Sequence, residues 1–111
     1  MNDYFTTGRW TVNPENGDAY VEAWATFAGW ASRKTGAGML VLMRDLDDPE
    51  RFVSIGEWET IDAIRTWKGS PEFKERMAQV LQYVSEFEPR NLGLVTTAHD
   101  GVSPRAATAA V

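Results

Sequence analysis

The chain has 111 residues and a formal net charge of -5 at pH 7, with 43% hydrophobic and 24% charged residues. A chain of this length forms one domain, which buries roughly two-thirds of the surface that the unfolded chain exposes. The acidic balance disfavours nucleic acid and anionic membranes as partners, and the absence of cysteine excludes disulfides and thiolate catalysis. No apolar run reaches the roughly 20 residues of a membrane span, so a cytoplasmic protein is expected.

The first third of the chain predicts one strand and one helix. Residues 4–12 are rich in aromatic and β-branched types, which favour strands, and a cluster of asparagine, proline and glycine follows them. From residue 18 to residue 34 the apolar spacing is helical, and two glycines then end the helix. The stripe that should face the core consists of Tyr20, Trp24, Phe27 and Ala31.

The middle of the chain predicts a β-hairpin followed by a short helix. Residues 39–43 and 52–58 are strand-like runs, and a long acidic loop joins them. Thr60 can cap the N-terminus of the short helix, because its hydroxyl can accept a hydrogen bond from a free backbone N–H. The apolar residues of this helix are Ile61, Ile64 and Trp67.

The last third predicts a longer helix and a final strand. Ser70 is the predicted N-cap, and Pro71 fits the first helical position because no amide hydrogen is required there. Pro89 precedes the predicted final strand, residues 92–97. The apolar face of the helix consists of Phe73, Met77, Val80, Leu81 and Val84.

These elements follow the order β-α-β-β-α-β, with the second helical region broken in two. The order predicts an α+β fold, a ferredoxin-like split βαβ with a four-stranded antiparallel sheet. Residues 1–97 form the predicted domain, and residues 98–111 are predicted to be a weakly ordered tail.

The second predicted strand carries apolar residues on both of its faces, which indicates a sheet covered on both sides. Every residue from 39 to 43 is apolar, although neighbouring side chains point to opposite faces. Two helical regions can cover one face, so the other should pack against the same face of a second copy. We therefore predict a homodimer, a dimeric α+β barrel, and expect a charge at Leu42 or Ile55 to break it.

Aromatic residues are the main evidence for a ligand pocket. The chain has five tryptophans, three of them on elements that should line the space between sheet and helices. We assign the face of Val53 and Ile55 to the dimer, and the face of Phe52, Ser54 and Trp58 to the pocket. The rings can also form an ordinary packed core, since aromatic side chains dominate core burial. The candidate substrate-binding residues are Trp24, Phe27, Ser54, Trp58, Trp67, Phe73 and Met77.

No residue type or spacing identifies a catalytic group, a metal site or a cofactor site. Thr7, Arg9, Arg44 and Tyr83 can contact a ligand, but their spacing defines no pair of nucleophile and base. His99 is the one imidazole, and we expect it at the surface beyond the last strand. The residues alone therefore predict no cofactor, and the small aromatic molecule expected as the partner is implied by the family resemblance that follows.

Several short segments resemble a known family. They are residues 48–53 (DPERFV), residues 57–60 (EWET), Trp67 and residues 70–73 (SPEF). From Phe5 to Val95 the chain resembles the antibiotic biosynthesis monooxygenase family of dimeric α+β barrels. The resemblance implies a pocket between sheet and helices that holds a flat aromatic substrate. Some members oxygenate polyphenols or quinols with O2 and without metal or flavin.

The chain departs from the family pattern at the reactive positions. Trp58 matches the strand tryptophan of the quinone-forming members, but Ser54 replaces their asparagine and Ile64 their helix tyrosine. In a haem-degrading branch, Trp67 matches the helix tryptophan. Two further residues of this chain, Gly8 and Met77, stand at about the positions of that branch's asparagine and iron-ligating histidine.

Two functions therefore stay open. The first is a cofactor-independent monooxygenase that acts on a flat aromatic or quinol-type substrate. The second is a non-catalytic protein of the same fold that binds an aromatic metabolite or haem.

Overall fold

The computed structural model describes residues 2–106 of the chain, with the side chains of residues 2–101. The elements are β1 (Tyr4–Thr11), α1 (Gly17–Ala31), β2 (Ala37–Arg44), β3 (Arg51–Trp58), α2 (Ile61–Lys68), α3 (Pro71–Leu81) and β4 (Glu86–Gly93). The four strands form one antiparallel sheet in the order β2-β3-β1-β4. This is the predicted ferredoxin-like α+β fold.

The second and third helices begin at the predicted capping residues. The Thr60 hydroxyl accepts a hydrogen bond from the Ala63 backbone N–H at 3.0 Å, and α2 starts one residue after Thr60. The Ser70 hydroxyl accepts from the Phe73 N–H at 3.1 Å, and Pro71 opens α3. Both caps satisfy N–H groups that have no carbonyl partner within the helix.

The core lies between α1, α2, α3 and one side of the sheet, here called the helix side. The predicted stripe of α1 is buried throughout, so that prediction is confirmed. In β1 and β3 the buried positions alternate, as expected for strands with one side facing a core. The sheet contributes Trp10, Phe52 and Trp58 to the core, and α2 contributes Ile64 and Trp67.

No helix within residues 2–106 packs against the opposite side of the sheet, here called the open side. Its apolar residues include Met39 at 65% exposure, Met43 at 46% and Val53 at 36%. In the register, Ile55 lies between Thr7 and Val41 at the centre of this side. The predicted assignment of Val53 and Ile55 to one face, opposite Phe52, Ser54 and Trp58, is confirmed.

One expectation about the open side was wrong. Leu42 pairs with Ser54 across β2 and β3, and paired residues of neighbouring strands share a face. Leu42 therefore lies on the helix side, where it packs against the core. Of the two positions proposed for breaking a dimer, Ile55 alone lies on the open side.

The last strand of the sheet is also placed differently from the prediction. β4 spans Glu86–Gly93 and includes Pro89, whereas residues 92–97 were predicted. Proline lacks the N–H that a central strand needs, so it suggested a strand boundary. β4 is an edge strand that pairs with β1 alone, and an edge strand tolerates proline because many of its backbone groups have no partner.

After β4 the chain forms a small hairpin. Residues Thr96–His99 and Val102–Ala106 pair as a separate two-stranded sheet, and Gly101 takes a positive φ of 77° in the turn. The predicted domain of residues 1–97 and the predicted tail include Met1 and residues 107–111, which lie outside the described residues. No helix within residues 2–106 is long and apolar enough to cross a membrane.

Candidate functional site

A cavity of about 190 Å³ lies between the helix side of the sheet and the three helices. This volume is somewhat larger than the roughly 150 Å³ cavity that binds benzene in an engineered protein. It therefore suits a ligand of one or two fused rings. Its described lining is mostly apolar or aromatic, and includes Trp10, Trp24, Phe27, Trp67 and Phe87.

Aromatic rings from α1, α2 and α3 form the wall of the cavity that faces the sheet, and these rings pack against one another. The Trp67 ring lies 4.8 Å from the Phe73 ring, edge to face, and 5.8 Å from the Phe27 ring. Behind it, the Trp58 ring lies 4.7 Å from the Trp67 ring. These distances are in the range of favourable aromatic pairs, so the wall that faces a ligand is rigid.

The sheet forms the floor of the cavity, and two hydroxyl groups are fixed in it. Ser54 Oγ accepts a hydrogen bond from Trp10 Nε1 at 3.0 Å, and Thr6 Oγ1 accepts one from Trp58 Nε1 at 3.1 Å. All four residues are buried. Each hydroxyl keeps its own hydrogen, because it acts as acceptor in these bonds. Each hydroxyl therefore retains an O–H group, and both residues line the cavity.

Each of these hydroxyls lies opposite a glycine in the register. Ser54 pairs with Gly8, and Thr6 pairs with Gly56. A Cβ atom at Gly8 would lie 2.8 Å from Ser54 Oγ, and one at Gly56 would lie 2.8 Å from Thr6 Oγ1. The two glycines are therefore needed for space, since any larger residue would displace the hydroxyl beside it.

Lys68 is the ionisable side chain among the described lining residues. It ends α2, and its Nζ donates a hydrogen bond of 2.8 Å to Asn91 Oδ1 on β4. Desolvation by burial lowers the pKa of Lys68 from its ordinary value. None of the ion pairs between side chains of residues 2–101 involves it.

Six of the seven candidate residues line the cavity, and one lies behind its wall. Trp58 is fully buried and is absent from the lining, because its indole is held against Thr6 and Trp67. It supports the wall and one hydroxyl of the floor. The six residues at the cavity are Trp24, Phe27, Ser54, Trp67, Phe73 and Met77.

The other polar candidates are spread over the molecule. Thr7 borders the cavity, whereas the Arg44 guanidinium lies 4.8 Å from the centroid of the Phe52 ring, outside it. Arg9 is exposed, and Tyr83 packs on the outside of the core. The His99 side chain is 82% exposed beside Asp100, as predicted. Among the described residues, no cluster of His, Asp and Glu could hold a metal ion.

The family departures noted in the sequence have different structural settings. Ile64, at the position of the family's helix tyrosine, is fully buried in the core and does not line the cavity. Gly8 forms part of the floor, and Met77 lines the cavity from α3. A serine at position 54 is short enough to accept a hydrogen bond from the indole of Trp10 while it faces the cavity.

Sequence reasoning selected Ser54 but missed Thr6, the two hydrogen bonds from the indoles, and Lys68. Thr6, Gly8 and Trp10 alternate along β1, and Ser54, Gly56 and Trp58 along β3, so each strand has a hydroxyl, a glycine and a tryptophan on one face. That pattern could have suggested the two hydrogen bonds, but the register of the strands was needed to pair them. Nothing in the sequence indicated that Lys68 lines the cavity, because a lysine in the last turn of a helix is common.

The fold and the site define a small ferredoxin-like α+β protein with an aromatic cavity of ligand size. The model of the antibiotic biosynthesis monooxygenase family matches residues 4–79, well over half of the chain. The chain therefore belongs to this family. No curated protein matches it.

Solved structures with this fold include SnoaB, a cofactor-independent oxygenase from Streptomyces nogalater. It is 22% identical, with a TM-score of 0.77, over 87% of this chain and 97% of SnoaB. A conserved protein from Methanosarcina mazei is 17% identical, with a TM-score of 0.75, over 84% of this chain and 93% of that protein. At these identities the likeness shows the fold alone.

Replacement of Gly8 by alanine tests the close packing of the floor. The new methyl group would lie 2.7 Å from Trp10 Nε1 and must displace the indole or the Ser54 hydroxyl. We expect the free energy of unfolding, measured with urea, to fall by about 1–3 kcal/mol, as for overpacked cores. Gly93→Ala is the matched control, because nothing lies within 4 Å of its new methyl group. Equal effects of the two substitutions would contradict the packing.

The pH dependence of stability tests the burial of the Lys68 ammonium. Its pKa is lowered in the folded protein, so the unfolded chain binds more protons between that lowered value and the ordinary 10.5. The contribution of Lys68 to the free energy of unfolding must therefore rise with pH in this window. We expect the stability of the wild type minus that of Lys68→Met to increase between pH 8 and pH 10.5. A constant difference in urea titrations would show that the group is solvated.

Proposed function

We propose that the protein is a cofactor-independent monooxygenase for a flat aromatic or quinol-type substrate, which binds in the cavity between the sheet and the helices. The observation that carries the proposal is an aromatic cavity of about 190 Å³ with two fixed hydroxyls in its floor, in a member of this family. Ligand pockets are mostly apolar, with a few placed polar groups that fix orientation. We assign substrate contact to Trp24, Phe27, Ser54, Trp67, Phe73 and Met77, with Trp58 in support.

The proposed reaction needs no group beyond substrate and O2. For a two-ring phenol such as 1-naphthol, the ring C–H para to the hydroxyl and the hydroxyl itself both become C=O: one oxygen atom of O2 enters the product, and the other leaves as water with the two hydrogens. The aromatic walls hold the ring flat and exclude water, so that a substrate that enters as its phenolate, having released its proton to the solvent, meets O2 inside the cavity. The floor hydroxyls of Thr6 and Ser54 donate to the developing oxyanion.

A second candidate function, that of a non-catalytic binding protein for an aromatic metabolite, is favoured by one observation. The described cavity lining has no imidazole and no carboxylate that could serve as a general base. Haem is a poor occupant of the same cavity. Its four-pyrrole macrocycle is much larger than benzene, which already needs roughly 150 Å³.

Oxygen uptake separates the two functions. Metal-free protein is supplied with a panel of one-ring and two-ring phenols and hydroquinones, and O2 consumption is followed alongside binding. We expect turnover with at least one panel member, and a loss of at least about tenfold in Met77→Trp, because the larger ring displaces the substrate from α3. Leu46→Trp is the matched control, since Leu46 is 96% exposed in the loop before β3.

Each outcome of that panel has a clear meaning. Binding without O2 uptake by any panel member would rule out the monooxygenase function and favour the non-catalytic binding protein. Uptake that Met77→Trp leaves unchanged would place the reaction outside the cavity.

We also propose that the working form is a homodimer joined through the open sides of two sheets. Exposed Met39, Met43 and Val53 surround Ile55 there, and apolar patches of this kind are uncommon on monomers. Two sheets packed face to face bury each other's apolar side chains. A second copy of the chain would therefore cover all of the exposed apolar residues on the open side.

Light scattering at micromolar concentration tests the dimer. We expect twice the chain mass for the wild type and a monomer mass for Ile55→Lys, because the change buries an unpaired charge at the centre of the interface. Leu46→Lys, in the exposed loop, should keep the dimer mass. A wild-type monomer would refute the proposal.

A further inference from the structure

Pro89, on the edge strand β4, is the one exposed residue of the described cavity lining, and we infer that the cavity opens on this side. Asn91, two residues further along the same face, is exposed as well. The buried lining residues of β1 and β3 lie further inside the sheet. A ligand between the sheet and the helices therefore has one edge near β4.

Lys68 stands at this opening. Its Nζ lies 2.8 Å from Asn91 Oδ1, and Lys68 itself is among the lining residues. Asn91 pairs with Thr6 in the register of β1 and β4, so the ammonium is next to the row of the sheet that carries a floor hydroxyl. The opening thus combines a cation with a nearby O–H donor.

The Lys68 ammonium has N–H groups without an acceptor among the described residues. An ammonium has three N–H groups, and the hydrogen bonds among the described side chains use one of them, with the neutral amide of Asn91 as acceptor. No carboxylate among residues 2–101 forms an ion pair with it, although the chain has 16 acidic residues. A partly buried charge without a counter-ion is unfavourable, and a bound anion would remove that penalty.

We propose that Lys68 binds an anionic oxygen on the edge of the aromatic ligand, so that the cavity selects aromatic carboxylates or phenolates over neutral aromatic compounds of the same shape. The proposal rests on the proposed function in one respect, that an aromatic ligand occupies the cavity. It names the substrate class of that site: a ring system inside the aromatic walls, with its negative charge at β4.

A lysine at a helix C-terminus also interacts favourably with the helix dipole, without any ligand. Arg65 is in the same last turn of α2, is exposed, and does not line the cavity. Arg65→Met therefore removes a cation from the end of the helix without changing the cavity, and it is the matched control for Lys68→Met.

Affinity for a pair of probes with the same shape tests the proposal. 1-Naphthoate and its neutral analogue 1-naphthamide are titrated into the full-length protein, and binding is followed by calorimetry. The wild type should bind naphthoate about tenfold more tightly, the factor that one charge-assisted hydrogen bond of modest strength supplies. In Lys68→Met this preference should fall to within about twofold. Lys68→Arg, which keeps the charge, and Arg65→Met should both retain the preference.

4-Nitrophenol separates the phenolate from the carboxylate as the source of the anion. Its phenolate absorbs at longer wavelength than the neutral phenol, so the spectrum reports which form is bound. An increase in the phenolate fraction on binding to the wild type, absent in Lys68→Met, supports a phenolate ligand. Preference for naphthoate without this increase restricts the class to carboxylates.

The other outcomes overturn different statements. Equal affinity of the wild type for naphthoate and naphthamide refutes the role of Lys68 and leaves the aromatic cavity intact. A preference that persists in Lys68→Met refutes it as well. If neither probe binds at millimolar concentration, the aromatic site itself fails, and the proposed function fails with it.

Discussion

Two tryptophan indoles on neighbouring strands donate hydrogen bonds to hydroxyls inside the protein, and much of the site depends on these two bonds. Trp10 and Trp58 are almost completely buried, and each donates to a hydroxyl of the facing strand. A buried donor left unpaired would cost about 1–3 kcal/mol. Satisfying both requires a serine and a threonine at defined positions, and space for them requires glycine at positions 8 and 56.

The same arrangement that satisfies the indoles also forms the floor of the cavity. Gly8 and Gly56 leave room for the two hydroxyls and the two indoles, and both glycines line the cavity. The rings of Trp67 and Phe73 face this floor from α2 and α3. The alternation of residues along β1 and β3 therefore serves the stability of the buried indoles and the shape of the cavity floor together.

Periodicity alone predicted most of the fold, because the signals involved are local. The stripe on α1 and the caps at Thr60 and Ser70 depend on residues within a few positions of one another. Pro89 misled the placement of the last strand, since the rule that excludes proline applies to central strands and the sequence does not show which strand is at the edge.

The apolar part of the site was more predictable than its hydrogen bonds. Five of the candidate residues lie on apolar faces of the helices, Ser54 lies on the strand face assigned to the pocket, and all six line the cavity. The pairs Trp10 with Ser54 and Trp58 with Thr6 are 44 and 52 residues apart in the chain. Such contacts follow from strand register, which a hydrophobic pattern leaves undetermined to within a shift of two residues. Lys68 on α2 and Asn91 on β4 are likewise distant in the chain, 23 residues apart.

The central claim is that a flat aromatic ligand binds among these rings, and the indole N–H signals of 15N-labelled protein test it most directly. Titration with 1-naphthamide should shift the signals of Trp10, Trp24 and Trp67, which line the cavity. The signal of Trp30 should move least, because its ring lies outside the lining, beside Lys34 and Arg76. Shifts confined to Trp30, or no shift at saturating ligand, would contradict the account.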